Sequence, residues 1–281
     1  MYVDKVIKNT FFTEVNGVKI RVYDSLREGF EYDTPLTLVF LHGLPGQISN
    51  WRYQLDYFKK LYRTVAYDQR GFGMSDKPKK VELKDFLKDL DAIIEKLGIP
   101  VENTVLIGHS FGGLVAQTYA CSKDLKGLVL IGSVAWKRAS FIDKFIWYMP
   151  SIFWHRLFFT ENRFTRKMYR ELFFSPSTSQ EIFEQFMKDN KEYIESLPAH
   201  VFRYDKCYKD YNAEKILNNI KCPTLIIVGE HDKVTPPEHS KKLHQLIPNS
   251  KLEIVKDAGH LILYEKPSEL NRMIHEFISK L

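Results

Sequence analysis

A serine hydroxyl is a weak nucleophile at neutral pH. It attacks a carbonyl only with a general base beside it and a third group that holds the base in the right tautomer. All three residue types occur here in turn-forming surroundings. Ser110 lies in Gly108-His109-Ser110-Phe111-Gly112, Asp232 in Gly229-Glu230-His231-Asp232, and His260 in Asp257-Ala258-Gly259-His260. Glycines at 108 and 112 let a strand and a helix approach and push the serine out at the tip of the turn between them. The order serine, aspartate, histidine suits a serine on such an elbow. Glu230 and Asp257 are the rival acids, and Asp232 also fits a turn-stabilising role. His42 and His109 read as supports of their own turns, and His231 is left without a role.

The elements that must position these residues alternate between two periods. Residues 105–107 form an apolar β-branched run into the elbow, and 114–120 follow with a small-residue helical pattern. Similar buried-strand runs stand at 36–41, 64–67, 128–131, 225–229 and 252–255, and residues 11–23 alternate around Asn16-Gly17 as a hairpin does. Helical spacing covers 81–97, ending at Gly98, then 238–246 and a last helix from Pro267. Strands alternating with helices predict a mostly parallel sheet covered on both faces. From about 136 to 211 the alternation stops, and this stretch holds about half of the aromatic residues. It reads as a helical insertion within one sheet, with Phe141, Phe145, Trp147, Phe153, Trp154, Phe158 and Phe159 crowding its first part.

With these motifs in hand, the chain resembles the α/β-hydrolase fold superfamily over nearly its whole length. The matching stretches are His42-Gly43-Leu44-Pro45-Gly46, Asp68-Gln69-Arg70-Gly71-Phe72-Gly73-Met74-Ser75, the elbow, Gly229-Glu230-His231-Asp232 and Gly259-His260. The resemblance implies an eight-stranded, mostly parallel sheet with helices on both faces and a helical cap inserted after the sixth strand. The expected division is a core of residues 1–134 and 212–281 and a cap of 135–211. It implies that Ser110 is the nucleophile, His260 the base and Asp232 its partner. The oxyanion donors are expected to be the backbone N–H groups of Phe111 and Leu44, whose side chains are then free to line an acyl pocket.

Ser110 argues against epoxide hydrolases and haloalkane dehalogenases of this fold, which use aspartate at the elbow. Carbon–carbon bond hydrolases usually carry a longer glycine-rich loop and a tryptophan after the histidine, where this chain has Leu261-Ile262-Leu263-Tyr264. Prolyl aminopeptidases come closer through HGGPG and DQRG loops. They must also hold a free α-ammonium, for which Glu161, Glu171, Glu192 and Glu195 are available, although each suits a solvated helix face. The favoured activity is carboxylic ester hydrolysis on a small-molecule substrate with an apolar acyl or alcohol part. Perhydrolase or lactonase action and a ligand-binding protein of the same fold stay open, as does lipid contact by 141–159.

Length and composition set outer bounds. A chain of 281 residues at 44% hydrophobic content can bury a large single core, or one core plus an inserted subdomain. The net charge of +6 is spread among acidic residues, and no motif supports nucleic-acid binding. Three cysteines, Cys121, Cys207 and Cys222, lack ligand spacing, so reduced thiols and no structural metal are expected, and no motif implies an organic cofactor. The stretch 145–159 is too short and interrupted to cross a bilayer, and the first residues show no leader pattern. A cytoplasmic protein without integral membrane association is the expectation. A homodimer is left open.

Overall fold

The computed structural model describes residues 2–137, 148, 155 and 158–281. Its eight strands are Thr10–Val15 (β1), Val18–Asp24 (β2), Thr37–Leu41 (β3), Arg63–Tyr67 (β4), Thr104–His109 (β5), Gly127–Ile131 (β6), Thr224–Gly229 (β7) and Ser250–Val255 (β8). The β1–β2 hairpin turns on Asn16-Gly17, both at positive φ, as a two-residue hairpin loop of this dipeptide requires. β3, β5, β6 and β7 are buried along their whole length, so the continuous apolar runs mark the strands that helices cover on both sides. The edge strands β1 and β8 are only partly buried and alternate more.

The strands form one sheet in the order β1-β2-β4-β3-β5-β6-β7-β8. β1–β2 and β2–β4 pair antiparallel, and every later pair is parallel. After β3 the chain steps outward to β4, and after β5 it steps the other way to β6. The carboxyl ends of β3 and β5 therefore flank the switch point at which open α/β sheets leave a crevice. Their register pairs Leu41 with Gly108, which brings the loop after β3 directly beside the elbow serine.

The helices are Arg52–Phe58 (α1), Leu83–Lys96 (α2), Phe111–Ala120 (α3), Arg163–Phe173 (α4), Gln180–Ser196 (α5), Pro237–Leu246 (α6), Ile262–Glu265 (α7) and Pro267–Ile278 (α8). α2 buries Phe86, Leu90, Ile93 and Ile94, the stripe its spacing predicts, and Gly98 follows it at φ +59°. α3 begins at Phe111, earlier than the reading from 114, because two elbow glycines belong to its first turn. α1 and α7 escape the pattern reading, since seven and four residues are too few to show a period.

Between β6 and β7 the described residues include the helices α4 and α5. α4 is capped by Asn162 and α5 by Ser179, each side-chain oxygen accepting N–H bonds from the first turn. A 3-10 stretch, Ala199–Tyr208, leads back to the sheet. The segment leaves and re-enters through a narrow neck, where Trp136 bridges Asn212 and Lys137 N–H donates to the Tyr211 carbonyl at 2.8 Å. The aromatic side chains of Phe141, Phe145, Trp147, Phe153 and Trp154, and the lipid contact expected of most of 141–159, lie outside the described residues.

One buried ionic cluster ties the start of the chain to the loops that carry the site. Arg21 donates to Asp4 at 2.8 Å and Asp68 at 3.4 Å, all three side chains being excluded from solvent. Asp68 in turn accepts the Ile48 N–H at 2.7 Å, anchoring the turn after β3. Removing the cation would leave two carboxylates buried without it. Arg21→Ala is accordingly expected to cost about 3–5 kcal/mol of unfolding free energy. Urea unfolding checks this, and a loss near zero would mean that the cluster does not hold the fold.

Candidate active site

Ser110 occupies the turn between β5 and α3 with φ 54° and ψ −119°, a region that costs a non-glycine residue roughly 1–3 kcal/mol. Packing holds it there. Its N–H donates to the Ile131 carbonyl at 2.9 Å, and its carbonyl accepts the Leu114 N–H at 3.1 Å. A Cβ at Gly108 would stand 2.5 Å from the Gly112 carbonyl oxygen, and one at Gly112 would overlap the Leu41 carbonyl. The two glycines are therefore required by contact between β3, β5 and α3. As first residue of α3, Phe111 presents an N–H that has no partner within the helix.

Asp232 follows β7 and His260 follows β8, and the sheet brings them together. His260 Nδ1 lies 2.8 Å from Asp232 Oδ2, with both residues buried. The carboxylate also accepts the N–H groups of Val234 at 2.9 Å and Thr235 at 2.8 Å. Burial alone would raise the Asp232 carboxyl, but His260 and the Thr235 bonds outweigh it and hold it below the usual carboxylate range. With Nδ1–H given to the carboxylate, Nε2 of a neutral His260 is the nitrogen with the free lone pair. The rival acids stand apart from this pair. Glu230 and Asp257 are exposed, and the Asp257 N–H donates to Glu230 Oε2 at 3.4 Å.

Two histidines support the turns, as their positions suggested. His42 Nδ1 donates to the Gly43 carbonyl at 2.7 Å while its Nε2 accepts the Gln69 N–H at 3.0 Å, locking the loop after β3 to the loop after β4. His109 Nε2 donates to the His260 carbonyl at 2.9 Å, so the residue before the serine also fixes the backbone of the histidine. Burial, then the neighbouring His260, push the His109 imidazole down to about 3.

Ser110 and His260 line one cavity of about 230 Å3 together with Leu44, Phe158, Met168 and Phe173. Its walls are mainly apolar, and among the described residues no Asp or Glu lines it. Leu44 reaches the cavity as expected. Phe111 does not: its side chain turns beneath the site and packs edge-on against Phe86, with ring centroids 4.9 Å apart, which corrects the expectation that it lines the pocket. Glu161, just before α4, pairs with Arg166 of α4 and Lys191 of α5, and Glu192 of α5 pairs with Lys5.

Pattern reading missed two polar residues. Asn190 of α5 accepts from Asn50 Nδ2 at 2.9 Å on the cavity wall. Glu265, buried at the end of α7, accepts the Gly259 N–H at 2.8 Å and the Ser175 N–H at 2.7 Å. Both lie inside ordinary helical spacing, and only the fold brings out their partners. No group of three His, Cys, Asp or Glu able to hold a metal occurs among the described residues. The three cysteines are free, and burial pushes Cys121 and Cys222 up to about 11 and Cys207 to about 12, which leaves them poor nucleophiles at neutral pH.

A strand-to-helix elbow at the switch point of a mostly parallel eight-stranded sheet defines the class. The model of the alpha/beta hydrolase fold matches residues 37–267, and the chain belongs to that family. It is 29% identical over 273 residues to epoxide hydrolase 3 of Xenopus tropicalis, covering 88% of this chain and 72% of the relative. To the proline iminopeptidase PfmaB of Pestalotiopsis fici it is 26% identical, covering 96% and 99%. Among solved structures, a thermophilic esterase from Thermogutta terrifontis superposes with a TM-score of 0.80 at 24% identity, covering 97% and 99%, a likeness of fold. No helix among the described residues is long and apolar enough to cross a membrane.

The depressed His109 imidazole has a consequence for stability. Its folded value of about 3 lies below the ordinary 6.5, so between those values the unfolded chain binds more protons and stability falls as pH falls. The slope from this residue is up to about 1.4 kcal/mol per pH unit. His109→Gln, which keeps a donor for the His260 carbonyl, is expected to flatten the acid limb of unfolding free energy against pH. Superimposable limbs for the two proteins would mean that His109 is not held neutral.

Proposed function

We propose that the protein is a serine hydrolase of carboxylic esters, with Ser110 as nucleophile, His260 as general base and Asp232 as the group that orients and stabilises the imidazolium. The observation that carries the reading is that a strained serine and an aspartate-paired histidine open onto one apolar cavity that no described carboxylate lines. In this reading His260 Nε2 takes the Ser110 proton as Oγ attacks the ester carbonyl, and the alcohol leaves with that proton. Water activated by the same imidazole then releases the acid. The N–H groups of Phe111 and Leu44 hold the tetrahedral oxyanion, each donor contributing ~2.7–4 kcal/mol in such sites. Residues 135–211 act as the cap that supplies most of the apolar wall over a core of 1–134 and 212–281. A cytoplasmic location belongs to the same proposal.

The substrate side follows from the wall chemistry. A cavity of about 230 Å3 lined by Phe158, Phe159, Met168, Leu172 and Phe173 suits a small or medium apolar acyl or alcohol group. The likeness to a proline iminopeptidase favours a second reading, cleavage of an N-terminal proline peptide. That chemistry needs an acidic partner for the α-ammonium, and the described lining has none. Epoxide opening by this fold uses an elbow aspartate, which this chain replaces with serine.

The test is hydrolysis of p-nitrophenyl esters from acetate to long-chain acyl groups beside proline p-nitroanilide, with Ser110→Ala as the blank. Ester turnover with a chain-length maximum, absent in Ser110→Ala, is expected. Asp232→Asn should lower kcat by about 10^4-fold, and Asp257→Asn should leave it unchanged. Preference for the anilide would move the protein to the peptidase reading, and a comparable loss in Asp257→Asn would reassign the acid.

A further inference from the structure

The connection between α4 and α5 is sewn onto the turn that carries His260. Leu261 N–H donates to the Phe173 carbonyl at 3.0 Å, and the Phe173 ring lies 6.1 Å from the His260 ring. Gly259 meets this connection backbone to backbone: a Cβ there would stand 2.7 Å from Phe174 C and Ser175 N. The centre of the seam is a buried carboxylate. Glu265 accepts Gly259 N–H on Oε2 at 2.8 Å, and on Oε1 it accepts both Ser175 N–H at 2.7 Å and the Thr178 hydroxyl. Three donors on two oxygens is an arrangement that a carboxylate accepts and an amide does not.

We propose that Glu265 is a positioning residue for His260, joining the inserted segment to the histidine turn so that the wall of the cavity and the base move as one unit. This rests on the role of His260 proposed above. One oxygen is committed to the residue preceding the histidine and the other to the segment that carries Phe173. A displacement of the wall is thereby carried through one rigid carboxylate to the backbone at 259, one residue from the imidazole. The seam also means that the inserted segment does not swing away from the core at this point.

Glu265→Gln separates the two halves of the junction. Its amide oxygen can keep Ser175 and Thr178, but its NH2 then faces the Gly259 N–H, two donors without an acceptor. The reverse orientation leaves the Ser175 N–H orphaned while the Thr178 hydroxyl can rotate to accept. Either way one side of the seam is released while the side chain keeps its volume. Two readouts follow the histidine itself: the low-field N–H resonance of His260 against Asp232, and kcat on the best p-nitrophenyl ester. Ile274→Val, a truncation of a fully buried side chain of α8, serves as a control that lowers stability without touching the seam.

Glu265→Gln is expected to shift or broaden that resonance and lower kcat about 10- to 100-fold, the cost of a small misplacement of a catalytic group, with KM little changed. Ile274→Val should show neither effect. A Glu265→Gln protein with a lowered Tm but an unchanged resonance and kcat would overturn the proposal and leave Glu265 a purely structural residue. Should the wild-type protein cleave no ester, the resonance alone decides, so failure of the ester reading is distinguishable from failure of this one.

Discussion

The site depends on the contact of three backbones at the elbow. β3 ends against β5 with Leu41 opposite Gly108, and α3 starts so close to both that Gly112 cannot carry even a methyl group. That crowding leaves Ser110 in a backbone conformation that a free chain would avoid, and the strain is stored where the surrounding sheet over-determines it. Everything else in the site is placed relative to this point. The loop after β3 arrives beside the serine because of the β3–β5 register, and it is held by His42 and Gln69 from the neighbouring strand end. β7 and β8 end on the same side of the sheet, which brings Asp232 and His260 into contact across 28 residues of chain.

The carboxyl ends of the strands alone would leave this constellation open to water. The segment between β6 and β7 changes that by laying apolar side chains over it and by bonding to the core at several separate points. Tyr193 of α5 donates to the Gly46 carbonyl at 2.6 Å, Asn190 meets Asn50, and Gln117 of α3 donates to Tyr211 at the neck at 2.9 Å. The bonds at Glu265 add a further junction directly at the histidine turn. Polar groups buried together in this way leave little freedom of register, since moving one element strands donors on the other.

Much of this was legible because it is local. A serine between glycines, with an apolar run before it and small residues after it, specifies strand, turn and helix within about fifteen residues, and buried parallel strands announce themselves as unbroken apolar runs. The side-chain direction of Phe111 was not legible. An aromatic at that position can face the pocket or the layer beneath, and the choice is made by Phe86 on α2 and Tyr208 far along the chain. Glu265 and Asn190 were hidden for the same reason: in sequence each is one polar residue on a helix, and its meaning lies in partners 6 to 140 residues away. Asp232 and Asp257 each follow a strand in the sequence, and only the fold separates them: the former is buried against His260 while the latter is exposed.

The electrostatics of the histidines complete the argument for the proposed chemistry. Three imidazoles cluster near the serine, and a mechanism that passes through an imidazolium requires that the charge have one home. His42 is lowered by burial and its two nitrogens are already committed, one as donor and one as acceptor. His109, with its ring centroid 4.6 Å from that of His260, is kept neutral by burial and by that neighbour, so it presents a dipole rather than a second cation. His260 bonds directly to a carboxylate whose own protonation is disfavoured by its hydrogen bonds. In the proposed chemistry a proton taken from Ser110 is held on the ring that is hydrogen-bonded to a buried carboxylate, and the neutral rings around it act as fixed supports that spare the site like-charge repulsion at the moment the charge develops.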